Sequence, residues 1–329
     1  MRRAPVTLLT RRPRIAAVAL AAVAVAAIAS ACLPPPPPPP KPPVLAAACN
    51  GTMVTSSPGT VASDAITEAS GIAASPRFDN VYWVHNDSGD TARVFAISGT
   101  GQTLGEYALS GATAVDWEDI AAGIGPTPGV SYLYVGDIGD NNANRTSVQV
   151  YRVPEPSVDP NAPLSSPQTL TGVATLNLKY PDGPHDAEAL LLDHATGELF
   201  VITKDLAGGV ARVFRAPPNL GAGSTTVLTQ VTTVSLGAAQ GVTAADMTGA
   251  GDVIALRTYL GVFLYPRGGG ESVAQALAHP SCAGAAPPFG SATPASEPQG
   301  EALGFTRDGR GYITLSEGAH VPLHRFTAP

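Results

Sequence analysis

Residues 186–190 read Asp-Ala-Glu-Ala-Leu, and related five-residue stretches recur four more times along the chain. These are EASGI at 68–72, DWEDI at 116–120, QGVTA at 240–244 and QGEAL at 299–303. Within each stretch, two positions separated by one residue form a pair: Glu68/Ser70, Asp116/Glu118, Asp186/Glu188, Gln240/Val242 and Gln299/Glu301. Because such positions share one side of a strand, each copy predicts a mostly polar pair entering an apolar strand.

The spacing of the five copies indicates the fold. Aligning the copies on Ile72, Ile120, Leu190, Ala244 and Leu303 gives intervals of 48, 70, 54 and 59 residues. These intervals lie within or near the range of a four-stranded propeller blade. The sequence therefore predicts an all-β fold, a single β-propeller of five blades. Six blades, or four, are possible if the long interval is misread, and a pair of β-sandwiches would not explain the fivefold motif.

Each motif is followed by a turn and further apolar strands, but the fifth copy has no room for a fourth strand before Pro329. Its outer strand must come from elsewhere, and residues 51–61 are the available candidate. Ring closure of this kind protects the edges of the sheets.

The first 48 residues have the composition of a leader and a spacer. Residues 1–31 contain five arginines, an apolar run at 15–28 and a final Ala-Ser-Ala, which predicts an export signal. Cys32 follows at once, so lipidation of Cys32 and simple release are both open. The Pro-rich stretch 32–48 predicts an extended linker, and 49–329 is the predicted propeller. The expected location is extracellular, or lipid-anchored on the outer side of the bacterial cell membrane.

Charge limits the partners. Without the leader's five arginines, 14 basic residues face 26 acidic ones. Phosphate binding needs a basic surface, so nucleic acid is excluded as a partner. The expected partner is a small anionic molecule, a glycan or a cell-surface protein. Contact with a membrane is expected only through a lipid anchor, and the chain is expected to be a monomer.

The cysteines suggest an oxidising compartment. With Cys32 in the linker, Cys49 and Cys282 remain as a pair at the two sides of the ring closure. A disulfide between them is predicted to latch the N-terminal strand onto the last blade.

The blade geometry predicts a site at one end of the central channel. In an up-and-down blade, the first strand begins on the face where the second strand ends. The recurring acids Glu68, Asp116, Glu118, Asp186, Glu188 and Glu301 should therefore meet Asp87, Asp137, Lys204, Arg257 and Glu317 around one mouth.

So many carboxylates repel one another unless they are protonated, paired or bridged by cations. We expect a divalent cation, calcium in an extracellular setting, held by the six recurring acids. Lys204 and Arg257 could hold a phosphate or carboxylate, with Asp87, Asp137 and Glu317 beside them. Glu188, His85 and His185 are candidate acid–base catalysts. The alternative is structural, since acids at strand starts can cap backbone amides and repeats recur without a ligand.

The loop 137–145 is rich in Asp and Asn, and is either a second cation loop or a plain turn.

The blade start at 68–72, the segments HNDSG at 85–89 and DWEDI at 116–120, and the acidic mouth resemble secreted bacterial β-propellers of the phytase-like and gluconolactonase-like groups. That resemblance covers the chain from about residue 50 onward. It implies that Glu68, Asp116, Glu188 and Glu301 are cation ligands, and that Lys204 and Arg257 contact substrate. Gln240 and Val242 interrupt the acidic ring.

Two functions therefore remain. The first is an exported binding or scaffold propeller with a cation-binding mouth. The alternative is a metal-dependent hydrolase of phosphoesters or lactones that uses the same residues. The sequence has no Gly-x-Ser-x-Gly, Ser-x-x-Lys, His-Glu-x-x-His or phosphate-loop motif, so metal-activated water is the only enzymatic mechanism these residues favour.

Overall fold

The computed structural model describes Met1 and residues 41–218, 220–287 and 296–329. The folded unit that contains the repeats runs from Lys41 to Pro329. Apart from Met1, the predicted signal peptide lies outside the described residues, as do Cys32 and the linker up to Pro40.

The folded unit begins with a helix, α1 (Pro43–Asn50). Residues 43–48, which the sequence assigned to the linker, therefore belong to the domain. Proline is tolerated in the first helical turn, and the Val-Leu-Ala-Ala-Ala run that follows is apolar and readily helical. Val44 and Leu45 are buried against residues of the fourth and fifth blades, so this helix extends the core.

The described strands form five mainly antiparallel sheets, one for each motif; two of them add a short parallel edge strand. After β1 (Val54–Thr60), the first blade contains β2 (Ala69–Ala74), β3 (Val81–Asn86), β4 (Arg93–Ser98) and β5 (Thr103–Leu109). The second contains β6 (Trp117–Ile124), β7 (Ser131–Asp137) and β8 (Val148–Pro154); β9 (Gln168–Leu170) then pairs with β5, and β10 (Ala174–Lys179) completes the second blade.

The remaining blades follow the same order. The third contains β11 (Ala187–Leu192), β12 (Leu199–Thr203) and β13 (Val210–Ala216); β14 (Thr225–Val227) pairs with β10, and β15 (Thr229–Ser235) completes the blade. The fourth contains β16 (Val242–Met247), β17 (Val253–Thr258), β18 (Gly261–Pro266), the short helix α2 (Val273–Ala276) and β19 (Cys282–Gly284). The fifth contains β20 (Gly300–Phe305), β21 (Gly311–Ser316) and β22 (Pro322–Thr327).

The predicted five-bladed propeller and its closure are confirmed. β1 pairs antiparallel with β22 and supplies the outer strand of the fifth blade. Cys49 and Cys282 form a disulfide with their Cα atoms 4.9 Å apart. Since Cys282 begins β19, the bond fastens the end of α1 to the fourth blade rather than fastening a strand to the last one.

Every innermost strand contains a β-bulge near its start. The residue left out of the pairing register is Ser70, Glu118, Glu188, Thr243 or Glu301 in blades one to five. The bulge shows that Thr243, not Val242, is the fourth blade's equivalent of Glu188. The alignment of the fourth copy is therefore one residue off, and Ala245 corresponds to Leu190.

Buried side chains join the inner strands across the channel. Asp119 accepts hydrogen bonds from the amides of Ile120 at 2.8 Å, Leu190 at 2.9 Å and Ala245 at 3.2 Å, which links blades two, three and four. Asp246 accepts from the amides of Met247 and Phe305 and links blades four and five. These contacts fix the spacing of the blades.

Candidate functional site at the channel mouth

The side chains of the mouth come from two positions that repeat in each blade. One is the bulge residue of the inner strand, which the irregular register leaves unpaired. The other directly follows the residue that ends the second strand: Asp87, Ile138, Lys204, Tyr259 or Glu317. In three blades the amide at this second position donates to the carbonyl four residues before the aligned apolar position, as in the bond from Asp87 N to Glu68 O at 2.8 Å.

The residue that ends the second strand has a structural role. Asp137 is fully buried, accepts hydrogen bonds from the amides of Val115 and Asp116, and forms an ion pair with Arg145 at 2.7 Å. In the first blade, the side-chain oxygen of Asn86 likewise accepts hydrogen bonds from the amides of Thr67 and Glu68. Asp137 was expected to contact substrate, but the structure engages its carboxylate in holding the start of the second blade.

The structure brings three predicted residues together as a potential cation site. Asp87, Asp116 and Glu118 each offer a carboxylate oxygen, and these three oxygens lie within 4.8 Å of one another. Gly139 lies directly against this trio. A Cβ at that position would collide with the carboxylates of Glu118 and Asp116, so the absence of a side chain at Gly139 leaves room for them.

A second group lines the mouth from blades three, four and five. Lys204 forms an ion pair with Glu188. Its ammonium donates to the Tyr259 hydroxyl at 2.9 Å and lies 5.1 Å from the centre of the Tyr259 ring. Glu188 is 4% exposed, and its Oε2 has no hydrogen-bond partner in the described part of the chain. The mouth therefore has one side formed by Asp87, Asp116 and Glu118, and another side where the ammonium of Lys204 adds a positive charge.

Burial and mutual repulsion make these acids hard to ionise. Burial raises the pKa of Asp116 to about 6, with the neighbouring Asp87 adding to the effect. Burial and Glu301 raise the pKa of Glu317 to about 7. Burial also raises the pKa of Glu118 well above its usual range, and Glu188 contributes. The pKa of Glu188 is likewise raised by burial and by Glu301, against the opposing effect of Lys204. It is therefore unfavourable to ionise all the acids of the mouth together.

The other predicted cation ligands are distributed around the same end. Asp186 accepts a hydrogen bond from the Asp140 amide at 3.0 Å, which ties the third blade to the loop of the second. Glu68 lies close enough to Asp87 and Glu317 to raise the pKa of both. Glu301 is 5% exposed and adjoins Lys204 and Tyr259.

Three predicted residues lie elsewhere. Arg257 is buried between the fourth and fifth blades, where it forms an ion pair with Glu297, because its strand register directs it against Gly300. The described contacts therefore do not place Arg257 at the mouth as a substrate contact.

Neither histidine candidate joins the acidic trio. His85 is fully buried, with its ring 5.7 Å from that of Trp117, and burial lowers its pKa to about 4. His185 pairs with Asp182 at 2.9 Å and packs edge-on against Tyr180. The geometry thus gives His85 a neutral core role, and it gives His185 a place outside the trio.

The loop 137–145 is held by its own side chains. Asp140 accepts from the amides of Asn144 and Arg145, at 2.8 and 2.7 Å. Arg145 donates to the Gly139 carbonyl at 2.7 Å. These contacts favour the plain turn over a second cation loop.

Sequence reasoning missed Tyr259 and Asp119. Tyr259 follows the end of the fourth blade's second strand, at the position that Lys204 holds in the third blade. Alignment of the second-strand ends could have identified it. Asp119 stands inside the DWEDI motif, but only the packing of the inner strands shows that it bridges three blades.

No protein-family profile matches this chain, and no curated protein matches it. Among solved structures, the chain is similar to the WD40 repeats of RRP9, with 9% identity and a TM-score of 0.42, over 84% of this chain and 100% of that one. It is also similar to hydrazine synthase of Kuenenia stuttgartiensis, with 12% identity and a TM-score of 0.38, over 78% and 94% of the two chains.

No function is transferred from either protein, and the blade count follows from the sheet pairing described above. Within the described ranges, no helix is both long and apolar enough to span a membrane.

Proposed function

We propose that this chain is an exported binding propeller whose channel mouth holds a divalent cation and presents it to a small anionic molecule. Export is supported by the composition of residues 1–31, and Cys32 remains a candidate for a lipid anchor. The observation that carries the cation site is the convergence of Asp87, Asp116 and Glu118.

The distances in the trio suit calcium. Calcium takes oxygen ligands at about 2.3–2.6 Å, so two ligands of one ion are separated by at most about 5 Å. The three carboxylate oxygens meet that limit, since they lie within 4.8 Å of one another. A bound cation would also offset the burial and the repulsion between acids that raise the pKa values of Asp116 and Glu118.

The opposite side of the mouth supports an anionic ligand. Lys204 brings a positive charge beside Tyr259, and the ion pair with Glu188 raises the pKa of Lys204 despite its burial, so the amine stays charged. An anionic group between the cation and Lys204 would contact positive charge on both sides.

The geometry favours binding over hydrolysis. His85 and His185 do not join the trio, and Glu188 is engaged by Lys204. The hydrolase alternative nevertheless uses the same mouth, so one set of proteins tests both functions.

The test is calorimetric titration of chelator-treated protein with calcium chloride. We expect one bound ion, and we expect Glu118→Gln to weaken binding at least about tenfold, because it removes a charged ligand of nearly the same shape. Asp182→Asn is the matched control, since Asp182 pairs with His185 and Arg212 away from the trio. Circular dichroism checks that each variant is folded.

Absence of calcium binding at millimolar concentration, or equal affinity in Glu118→Gln and the wild type, would overturn the cation site. The same proteins are incubated with phosphomonoesters and lactones. Turnover that disappears in Glu188→Gln would replace the binding function with the hydrolase.

A further inference from the structure

A cavity, which we call the lower cavity, lies at the opposite end of the channel from the mouth. Its volume is about 880 Å³, within the usual range of small-molecule sites. The inner strands of the blades end here, and their last residues, among them Ala74, Ile124, Met247 and Phe305, line the cavity. The turns that lead into the second strands of blades one, two and five supply most of the remaining lining, and His194 and Gly249 come from the turns of blades three and four.

The two ends of the channel are separated by the buried bridges between blades. Asp119 ties together inner strands of three blades through three backbone amides. The Ser70 hydroxyl donates to the Glu118 carbonyl at 2.6 Å and ties the first blade to the second. These hydrogen bonds lie between the lower cavity and the carboxylates of the mouth.

Apolar side chains form much of the cavity wall. Ile124 is 43% exposed and Val130 is 37% exposed, and both face this cavity. Phe305 and Met247 lie at its floor. Large apolar side chains left partly open in a concave site are typical of pockets that bury the body of an organic ligand.

Polar groups at the floor are neutral or already engaged. Both oxygens of Asp246 accept backbone amide hydrogens, one from Met247 at 2.8 Å and one from Phe305 at 2.7 Å. His194 lines the cavity beside Gly123, where a Cβ would collide with the imidazole. Burial lowers the pKa of His194, so the ring is uncharged at neutral pH.

The turns of blades one and five bring two arginines and two acids to the lining: Arg77, Arg307, Asp79 and Asp308. Arg77 donates to the Glu155 carbonyl at 2.8 Å and lies over the Phe78 ring at 4.7 Å, but has no ion pair with an acid among the described residues. Arg307 adjoins it, donates to the Pro76 carbonyl and forms an ion pair with Asp79. Of the two guanidinium groups, Arg77 is the one whose charge is left for a ligand.

We infer that the lower cavity binds a small organic acid, with its apolar body against Ile124, Val130 and Phe305 and its single carboxylate toward Arg77. Arginine is suited to this role, because its planar group donates two parallel hydrogen bonds to a carboxylate. The mode of binding differs from that proposed for the mouth, because here Arg77 supplies the positive charge beside an apolar surface, without a metal ion.

The experiment compares decanoate with decanol, which have the same alkyl chain but differ in charge. Both are titrated into the folded protein by calorimetry at pH 7.5. We expect one decanoate per chain, bound about tenfold more tightly than decanol. Arg77→Gln should reduce decanoate affinity to the level of decanol and leave decanol unchanged. Arg212→Gln is the matched control, since Arg212 is an exposed arginine paired with Asp182 in another blade.

A second variant tests the apolar body. Ile124→Trp fills part of the cavity from a half-exposed position, so we expect both probes to bind at least about fivefold more weakly. The inference is overturned if neither probe binds at millimolar concentration, or if Arg77→Gln and Arg212→Gln affect decanoate equally. Glu118→Gln should leave decanoate binding intact, so the outcome is independent of the cation site.

Discussion

The two ends of the channel contrast in the way they use the same five strands. At the mouth, bulges and strand ends bring carboxylates such as Asp116, Glu118 and Glu188 close together, and burial raises their pKa values. At the lower end the same strands finish in apolar residues, and both arginines and aspartates lie beside them: Arg77, Arg307, Asp79, Asp246 and Asp308. We therefore propose a divalent cation at the mouth, and an organic acid bound without a metal ion at the lower end.

The hydrogen bonds of Asp119 and Asp246 join the inner strands between the two ends of the channel. We expect Asp119→Ala to have the largest effect of the substitutions considered. The substitution leaves three buried amides without a hydrogen-bond acceptor, so we expect it to lower the free energy of unfolding by about 3 kcal/mol. Asp246→Ala leaves two amides without an acceptor and should lower the free energy of unfolding by about 2 kcal/mol. Urea denaturation measures both values. A larger loss in Asp246→Ala than in Asp119→Ala would show that Asp119 is not the main bridge.

A change of pH should alter stability less than these substitutions do. One buried acid at each end of the channel contributes to the change. Burial raises the pKa of Glu317 at the mouth and of Asp246 at the lower end to about 7 in each case. The folded protein therefore holds these protons where the unfolded chain has lost them. The stability that these two acids contribute is fully present below their unfolded pKa, near 4, and is lost as pH rises through about 7. In chelator, the melting temperature should be higher at pH 5 than at pH 8.

Two variants assign this pH dependence to one end or the other. Glu317→Gln should remove the share of the fall in melting temperature between pH 5 and pH 8 that added calcium also removes. Asp246→Asn should remove a share of that fall that calcium leaves unchanged. Melting temperatures that do not fall between pH 5 and pH 8 in chelator would contradict the buried, protonated state of both acids.

The smallest expected effect concerns the rim of the lower cavity. Asp79 is strongly exposed and pairs with Arg307, and exposed ion pairs contribute little to stability. Asp79→Ala should change the free energy of unfolding by less than about 0.5 kcal/mol. Because the substitution frees a second arginine, decanoate should bind about two- to threefold more tightly. Weaker decanoate binding in this variant would argue against an anionic ligand at this end.

The repeated motif in the sequence could predict the blades and the closure of the ring. Five copies of one motif indicated five blades, and the missing fourth strand of the last copy indicated closure by residues near the N-terminus, which β1 confirms. The spacing of two between Asp116 and Glu118 also placed both acids at one end of the fold. These inferences succeeded because strand periodicity is local and depends on residue order alone.

Other features of the site could not be read from a pattern. The bulge that makes Thr243 the counterpart of Glu188 is a property of strand pairing. The pairing of Arg257 with Glu297, and the burial of His85 behind Gly71, follow from how neighbouring blades pack. A polar residue beside a strand end looks the same in sequence whether it faces the channel or the neighbouring blade.

The amino-acid sequence alone determined the all-β class, the fivefold motif that favours five blades, the closure of the ring and the two cysteines that join, because periodicity and spacing are written along the chain. Only the tertiary structure decided that Asp87, Asp116 and Glu118 share one small volume while Asp137 and Arg257 are engaged elsewhere. It also created the lower cavity, whose lining residues lie far apart in the chain. The physical reason is that distance and burial between blades arise from packing around the axis, to which each residue contributes only through its neighbours in space.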